Sequence, residues 1–255
     1  MLINRAYIRQ FYLSMVWLYS EYSPFKRDLK RYFSYKDIGI YKLLSWHNST
    51  QYFIASTISG KFFIKTDFSF GLLKNEIICD KLMKKHSLLS SRGLFLHSWD
   101  AENYNYVIYP FVKHQALGEF LMSPLFSDLE KKKVVAQIEW YLDVLYNLGI
   151  VYRDIKADNF FVTDEKVLVL FDFSFAISND ANVGLIEIKN IIKNRDVLLG
   201  MGRYSQYEKY KWDDAYGMVN LLIGLEKSTG LTFSEEISSI ERKIGRLTYN
   251  LEDIL

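Results

Sequence analysis

The chain has 255 residues, a length that fits one large domain or two lobes sharing one cleft. Hydrophobic residues make up 49% of it and charged residues 24%, which excludes a disordered chain and provides for a sizeable core. A formal net charge of +2 offers no electrostatic argument for nucleic-acid binding. The single cysteine, Cys79, excludes an intrachain disulfide and predicts a reducing compartment, the cytoplasm.

Residues 1–35 are predicted to form a helical extension that is both apolar and basic. Apolar side chains recur at helical spacing from Leu2 to Leu18. A basic cluster follows Pro24 and consists of Lys26, Arg27, Lys30 and Arg31. Two interpretations stay open: a helix that packs on the main domain, or a peripheral anchor with its cations on anionic lipid headgroups. The apolar run is too short to span a bilayer and lacks the cleavage site of a signal peptide.

Residues 36–112 are predicted to be rich in strands. Three β-prone runs separated by polar turns cover residues 40–46, 51–57 and 61–66. The third run contains Lys65, and a helix predicted from Gly71 to His86 places Glu76 where it can swing towards that lysine. An aromatic-rich strand is predicted from Tyr104 to Val112.

Residues 113–255 are predicted to be mainly helical. A capping box at Ser127 to Glu130 opens a helix, and Gly149 caps its C-terminal end. A second apolar helix begins near Trp212 and runs through Leu225. Asp213 and Asp214 lie at its start, where an aspartate carboxylate can cap the helix. One amphipathic helix is expected over residues 234–247.

The stretch that carries the chemistry begins at Tyr152 and reads Tyr-Arg-Asp-Ile-Lys-Ala-Asp-Asn. In it, Asp154 can accept a proton from a hydroxyl, and Lys156 brings a positive charge nearby. Asn159 and, after an apolar hairpin, Asp172 offer oxygens to a hard cation. This combination suits phosphoryl transfer, in which the protein positions the acceptor and neutralises developing charge.

The order of these residues resembles the catalytic loop and metal-binding segment of the protein-kinase-like superfamily, H-R-D-x-K-x-x-N followed by D-F-G. Tyr152 stands where His is usual, and Ser174 stands where Gly is usual. The turn from Ser45 to Thr50 has no glycine, although kinases place glycines there so that backbone N–H groups approach the phosphates.

The resemblance covers roughly residues 36–225 and implies an α+β, bilobal fold. Residues 36–112 would form a β-rich small lobe, and residues 113–255 a shortened, mainly helical large lobe. ATP and Mg²⁺ are the implied cofactors.

The resemblance also implies roles in holding ATP. Lys65 would hold the α- and β-phosphates, and Glu76 would hold Lys65. The strand that ends at Pro110 resembles the hinge between kinase lobes, where the Pro110 carbonyl and the Val112 N–H would bind the adenine edge.

The remaining implied roles concern the transfer itself. Asn159 and Asp172 would coordinate Mg²⁺. Asp154 would orient and deprotonate the acceptor hydroxyl, and Lys156 would stabilise the transferred phosphoryl group.

The acceptor is open among three hypotheses. The segment Asn159 to Val162, with Asp172 to Ser174, is similar to bacterial lipopolysaccharide core heptose kinases, which have N-F-x-V, a strand and D-x-S. Together with the basic, aromatic N-terminus, this favours a sugar of a cell-surface glycan and peripheral contact with the inner face of a membrane. Lys156 and the stretch from Gly200 to Tyr204 resemble Ser/Thr protein kinases, the first alternative. The glycine-free turn, with Tyr152 and Ser174, motivates the second, a nucleotide-binding pseudokinase that acts as an interaction module.

Overall fold

The structure is a computed structural model, and it describes a defined part of the chain. The described residues are 11–12, 15–16, 18–20, 22–33, 39–43, 50–58, 60–67, 73–85, 97–100, 105–111, 113–178, 180, 183 and 202–250. They form a small lobe built on one β-sheet and a mainly helical large lobe, which confirms the predicted α+β, bilobal fold.

The small lobe is a five-stranded antiparallel sheet in the order β1-β2-β3-β5-β4. Its strands are β1 Gly39–Leu43, β2 Thr50–Thr57, β3 Gly60–Asp67, β4 His97–Asp100 and β5 Asn105–Pro110. The three predicted β-prone runs correspond to β1, β2 and β3. Strand β4 was not predicted from the sequence. Strand β3 lies between β2 and β5, so Lys65 is held centrally, opposite Tyr52 and Val107.

Helix α1, Tyr22–Tyr32, covers one face of this sheet. Phe25 and Leu29 lie four residues apart, so they share one helix face, and both are fully buried. They pack in a cluster with sheet residues Phe53, Ala55, Ile64, Tyr106 and Ile108. Of the two interpretations of the N-terminal region, the helix that packs on the main domain is therefore the one that the structure shows for residues 22–32. The segment from Leu2 to Arg9 lies outside the described residues.

Helix α2, Leu73–Lys85, lies on the opposite face of the sheet, where Leu73 packs with Val107 and Tyr109. Side chains alternate between the two faces of a strand. Ile64 therefore points towards α1, while its neighbour Lys65 points towards α2.

The helices of the large lobe are α3 Leu117–Met122, α4 Asp128–Val135, α5 Gln137–Asn147, α6 Asp214–Thr229 and α7 Ser234–Glu241. The predicted capping box at Ser127 and Glu130 has both of its hydrogen bonds. The predicted continuous helix is interrupted at Ala136, which separates α4 from α5. Helix α7 ends at Glu241, earlier than predicted. After α7 the chain turns at Gly245, which has a φ of +84°. The Gly245 N–H donates to Asp213 Oδ2 at 2.6 Å, and a short strand follows.

Two small antiparallel sheets complete the large lobe. One has the order β6-β7-β8, and the other has the order β11-β10-β9. Their strands are β6 His114–Ala116, β7 Phe160–Thr163, β8 Leu168–Leu170, β9 Gln206–Glu208, β10 Lys211–Asp213 and β11 Thr248–Asn250. Within the described ranges, no helix combines the length and apolar character that crossing a membrane requires.

Candidate active site

A buried lysine joins the two lobes. The Lys65 ammonium group contacts the Glu76 carboxylate, which confirms the predicted contact between them. The same Nζ lies 2.7 Å from Asp172 Oδ1 and 2.9 Å from Ser174 Oγ, both in the large lobe. Because a lysine ammonium has three N–H donors, each donor of Lys65 has one acceptor in this arrangement.

The charges of this cluster set its protonation states. Burial by itself would lower the pKa of Lys65, but the carboxylates of Asp172 and Glu76 raise it above the ordinary value. Burial by itself would raise the pKa of Asp172, but the Lys65 charge and hydrogen bond lower it to about 2. Burial raises the pKa of Glu76, against the opposing effect of Lys65. At neutral pH Lys65 is therefore cationic and Asp172 is an ionised oxygen donor.

Asp172 has an uncommon backbone conformation. Its φ of +64° and ψ of +70° lie in the left-handed region, and its carboxylate accepts the Ser174 N–H at 3.4 Å. Such residues cluster at functional sites, where the surrounding structure holds them in place. Here the β7–β8 hairpin does so: the Phe171 N–H donates to the Asn159 carbonyl at 2.9 Å, which brings Asp172 beside the catalytic loop.

The side chains of the catalytic loop contact one another. Lys156 Nζ lies 2.7 Å from Asp154 Oδ2. The Asn159 amide NH₂ also donates to Asp154, whose Oδ2 and backbone carbonyl oxygen lie 2.8 and 2.9 Å from the amide nitrogen and share one of its two N–H groups. The Asn159 side-chain oxygen, which does not take part in these bonds, is the atom that can bind a cation.

Tyr152 links the catalytic loop to the segment that carries Asp172. Its side chain is fully buried, and its hydroxyl donates to the Phe171 carbonyl at 2.5 Å while accepting from the Asn159 amide at 2.8 Å. Its ring meets the Phe173 ring edge-on, with 5.0 Å between centroids. Tyr152, which stands where His is usual, thus packs under the loop.

Asp214, at the start of α6, braces the backbone of the loop. Its carboxylate accepts the N–H of Tyr152 at 2.5 Å and the N–H of Arg153 at 2.9 Å. Asp213 has a different function: it caps α6 by accepting the Ala215 N–H at 2.8 Å.

Arg153 completes the support of the loop from below. It has a φ of +74°, it is buried, and its guanidinium lies 4.3 Å above the Trp212 ring centroid. Burial lowers its pKa to about 10. Gly202 packs against it: a Cβ on Gly202 would lie 2.8 Å from the Arg153 carbonyl oxygen, and the φ of +79° also favours glycine.

Comparisons with known proteins agree with this geometry. Residues 64–188 match the family described as "Protein kinase domain", a range that includes Lys65, Asp154 and Asp172. Over this range, just under half of its length, the chain resembles the protein-kinase-like superfamily. Among its relatives, a probable serine/threonine-protein kinase PknB of Bifidobacterium longum is 30% identical over 84 residues, which cover 32% of this chain and 12% of that protein.

Two further relatives of the chain come from eukaryotes. Mitogen-activated protein kinase 13 of Homo sapiens is 22% identical over 172 residues, which cover 67% of this chain and 46% of that protein. Cyclin-dependent kinase C-2 C of Arabidopsis thaliana is 29% identical over 119 residues, which cover 46% of this chain and 16% of that protein. The chain thus spans less than half the length of these relatives.

Of the two residues that the kinase resemblance assigns to the adenine edge, Pro110 and Val112, the described residues include Pro110. Pro110 ends β5 opposite Phe62 and is exposed, and the next N–H, of Phe111, donates to the Lys61 carbonyl at 3.0 Å. Val112, the turn at 44–49 and the stretch 184–201 lie outside the described residues.

The donor set suits a hard cation held jointly with a substrate. Among the residues described, no three His, Cys, Asp or Glu side chains form a cluster that could hold a metal by themselves. Mg²⁺ is commonly bound by one or two protein oxygens plus substrate phosphates, and the Asp172 carboxylate with the Asn159 amide oxygen fits that pattern.

Two contributors to the kinase-like site were missed by the sequence analysis. The Tyr109 hydroxyl donates to Glu76 Oε2, and the Asn75 amide donates to the carbonyls of Ser174 and Ala176 at 3.2 and 3.1 Å. Asn75 precedes Glu76 in the chain, which is a weak signal, whereas the position of Tyr109 depends on the pairing of β5 with β3.

Proposed function

We propose that this protein is an ATP-dependent phosphotransferase that moves the γ-phosphate to a hydroxyl acceptor. The observation that carries the proposal is the buried contact of Lys65 with both Glu76 and Asp172, which joins the lobes around one cation. Protein kinases use such a lysine to hold ATP phosphates and such an aspartate to hold Mg²⁺.

The proposed chemistry assigns one task to each group. The phosphates of ATP must replace at least one of the three acceptors of Lys65, since each of its N–H donors has an acceptor. Asp172 and Asn159 would hold Mg²⁺, which neutralises phosphate charge when bound. Asp154 accepts the proton of the acceptor hydroxyl, and Lys156, 2.7 Å away, adds positive charge beside the transferred group.

For the acceptor we propose a sugar hydroxyl of a bacterial lipopolysaccharide or another cell-surface glycan. The N-F-x-V and D-x-S resemblance supports it, as do exposed side chains beside the catalytic loop. Arg203 and Tyr204 are exposed and follow Gly202, which packs against Arg153. A cation and an aromatic ring at this position suit a glycan that carries anionic groups.

A Ser or Thr hydroxyl of a protein is the alternative acceptor. The comparisons favour it, since the relatives include a probable serine/threonine-protein kinase and a mitogen-activated protein kinase. The contact of Lys156 with Asp154 suits a hydroxyl in either kind of molecule.

The test offers radiolabelled ATP and Mg²⁺ with extracted lipopolysaccharide, with its core sugars or with generic protein substrates. The purified full chain should label the glycan, and Asp172→Asn should abolish labelling. Asp164→Asn is the matched control, because Asp164 lies in an exposed turn and its ion pair among the described residues is with Lys113, at 3.4 Å. Label in protein alone would refute the glycan acceptor. Nucleotide binding without label in any acceptor would favour the pseudokinase.

The glycan hypothesis includes peripheral contact with an anionic membrane surface. We propose that the side of the N-terminal region that faces away from the small lobe makes this contact. Phe25 and Leu29 of α1 point into the small lobe, whereas Arg27, Lys30 and Arg31 are exposed. Exposed apolar side chains precede them, namely Phe11, Tyr12, Met15, Val16 and Tyr19.

Co-sedimentation with vesicles of phosphatidylserine and phosphatidylcholine tests this contact. The double variant Lys30→Glu/Arg31→Glu should release the protein from the vesicles. Lys132→Glu/Lys133→Glu is matched, because both pairs are basic residues in the last turn of a helix. Equal sedimentation of the two double variants would reject the N-terminal region as the membrane-binding surface.

A further inference from the structure

The Glu76 carboxylate is held by uncharged side chains as well as by Lys65. Its Oε1 contacts Lys65 Nζ and accepts the Ser174 hydroxyl at 2.5 Å. Its Oε2 accepts the Tyr109 hydroxyl. Glu76 is only 3% exposed, so an unsatisfied carboxylate oxygen at this position would be costly.

Ser174 contacts both members of the ion pair. Its hydroxyl oxygen accepts from Lys65 Nζ at 2.9 Å while its proton goes to Glu76 Oε1. One hydroxyl has one donor and two acceptor positions, so both bonds can exist at the same time. The residue usual at this position in the superfamily, glycine, has no side chain and can make neither bond.

Tyr109 reaches Glu76 from the other side. It lies on β5, two residues after Val107, which is paired with Lys65, so Tyr109 and Lys65 point to the same face of the sheet. Burial raises the pKa of Tyr109 well above the ordinary value, which keeps its hydroxyl protonated as a donor.

The backbone around Ser174 is also tied to α2. The buried Asn75 amide donates to the carbonyls of Ser174 and Ala176. Hydrogen bonds from adjacent residues of one helix therefore reach both the side chain and the backbone of the segment that follows Asp172. The position of α2 is thereby coupled to the position of this segment.

We propose that Ser174 and Tyr109 are positioning residues that hold Glu76 against Lys65, so that α2 stays in the arrangement that ATP binding requires. This inference rests on the proposed phosphotransferase function. In this chain, two hydroxyl donors thus supplement the contact of Glu76 with Lys65. Ser174, a departure from the kinase pattern, is thus a stabilising element and not a defect.

The test compares Ser174→Ala and Tyr109→Phe with matched controls. Loss of one hydrogen bond to a charged group should lower kcat/KM for ATP about 10-fold in each variant. Amide hydrogen exchange over residues 73–85 should become about 10-fold faster, because α2 opens more often. Ser174→Thr, which keeps the hydroxyl, should restore slow exchange.

The control Ser178→Ala removes a hydroxyl from the same segment, one that donates to the Gly149 carbonyl at 2.6 Å. Tyr141→Phe removes a buried hydroxyl that donates to the Leu168 carbonyl at 3.1 Å. Both controls should leave exchange in α2 and kcat/KM within about 2-fold of the wild type, whatever their effect on the melting temperature.

A double-mutant cycle separates positioning from general stabilisation. In a Glu76→Gln background, Ser174→Ala should change kcat/KM by less than about 2-fold, because the ion pair that Ser174 supports is already lost. The full 10-fold effect in that background would overturn the proposal, as would unchanged exchange in α2 for Ser174→Ala and Tyr109→Phe. Absence of ATP turnover in the wild type would contradict the proposed function instead, and the exchange experiment would still test the inference.

Discussion

The two faces of the small-lobe sheet solve the problem of burial in different ways. On the α1 face, Phe25 and Leu29 pack against apolar side chains such as Ile64. On the α2 face, the neighbouring residue Lys65 lies among carboxylates and hydroxyls. Each apolar side chain stabilises the fold by its own burial. A buried charge, in contrast, is tolerated only when all of its charged and hydrogen-bonding partners are present. Substitutions on the α1 face should therefore change stability alone, whereas substitutions on the α2 face should change both stability and chemistry.

Lys65→Met should have the largest effect, because it leaves the charges of Glu76 and Asp172 without their buried partner. Removing one member of a buried ion pair costs about 4 kcal/mol of the free energy of unfolding, and ATP turnover should be lost as well. Urea unfolding and ATP hydrolysis measure the two effects. Lys61→Met, at an exposed position on the same strand, is the control and should change both quantities little. A stable, active Lys65→Met variant would remove the distinction between the two faces.

Phe25→Ala tests the α1 face. Truncating a fully buried phenylalanine should lower the free energy of unfolding by about 3 kcal/mol. The affinity of the remaining folded protein for ATP should be unchanged, because no atom of Phe25 takes part in the cluster around Lys65. Urea unfolding and calorimetric titration with ATP check this, with Tyr19→Ala, at an exposed site, as the control. A large loss of ATP affinity would mean that the α1 face also shapes the site.

The pH dependence of stability should come from the α2 face. Folding lowers the pKa of Asp172 from 3.8 to about 2, so its ionised form stabilises the folded state above pH 3.8, and that contribution is lost as the pH falls towards 2. The loss is on the order of 2 kcal/mol. Urea unfolding between pH 5 and pH 2.5 should show a weaker pH dependence in Asp172→Asn than in the wild type. Phe25→Ala should retain the full pH dependence of the wild type. Loss of this pH dependence in Phe25→Ala would contradict its assignment to Asp172.

The smallest expected effects come from two tyrosines of β5 that point to opposite faces. The Tyr106 hydroxyl donates to Asp28 of α1 at 2.7 Å, whereas the Tyr109 hydroxyl donates to Glu76 of α2. Tyr106→Phe should lower the free energy of unfolding by about 1 kcal/mol and leave kcat unchanged. Tyr109→Phe should lower kcat/KM, as stated above. Equal kinetic effects of the two substitutions would show that the faces are not independent.

Much of the fold could be predicted because the signals are local. The β-prone runs that form β2 and β3 and the capping box at Ser127 depend on residues close in sequence. The predictions failed where the outcome depends on distant contacts. The predicted α4–α5 helix is interrupted at Ala136, and α7 ends early because the Gly245 N–H donates to Asp213.

The sequence by itself determined which chemical groups the site contains. Asp154, Lys156 and Asn159 lie within six residues, so their contacts follow from the conformation of one loop. Only the tertiary structure decided how this loop and Asp172 meet the small lobe. Lys65 and Asp172 are 107 residues apart, and Ser174 and Glu76 are 98 apart. Whether such groups meet depends on strand register and on the packing of the lobes, which no short stretch of sequence encodes. The physical reason for their coming together is that a buried charge is stable only when all of its partners are present.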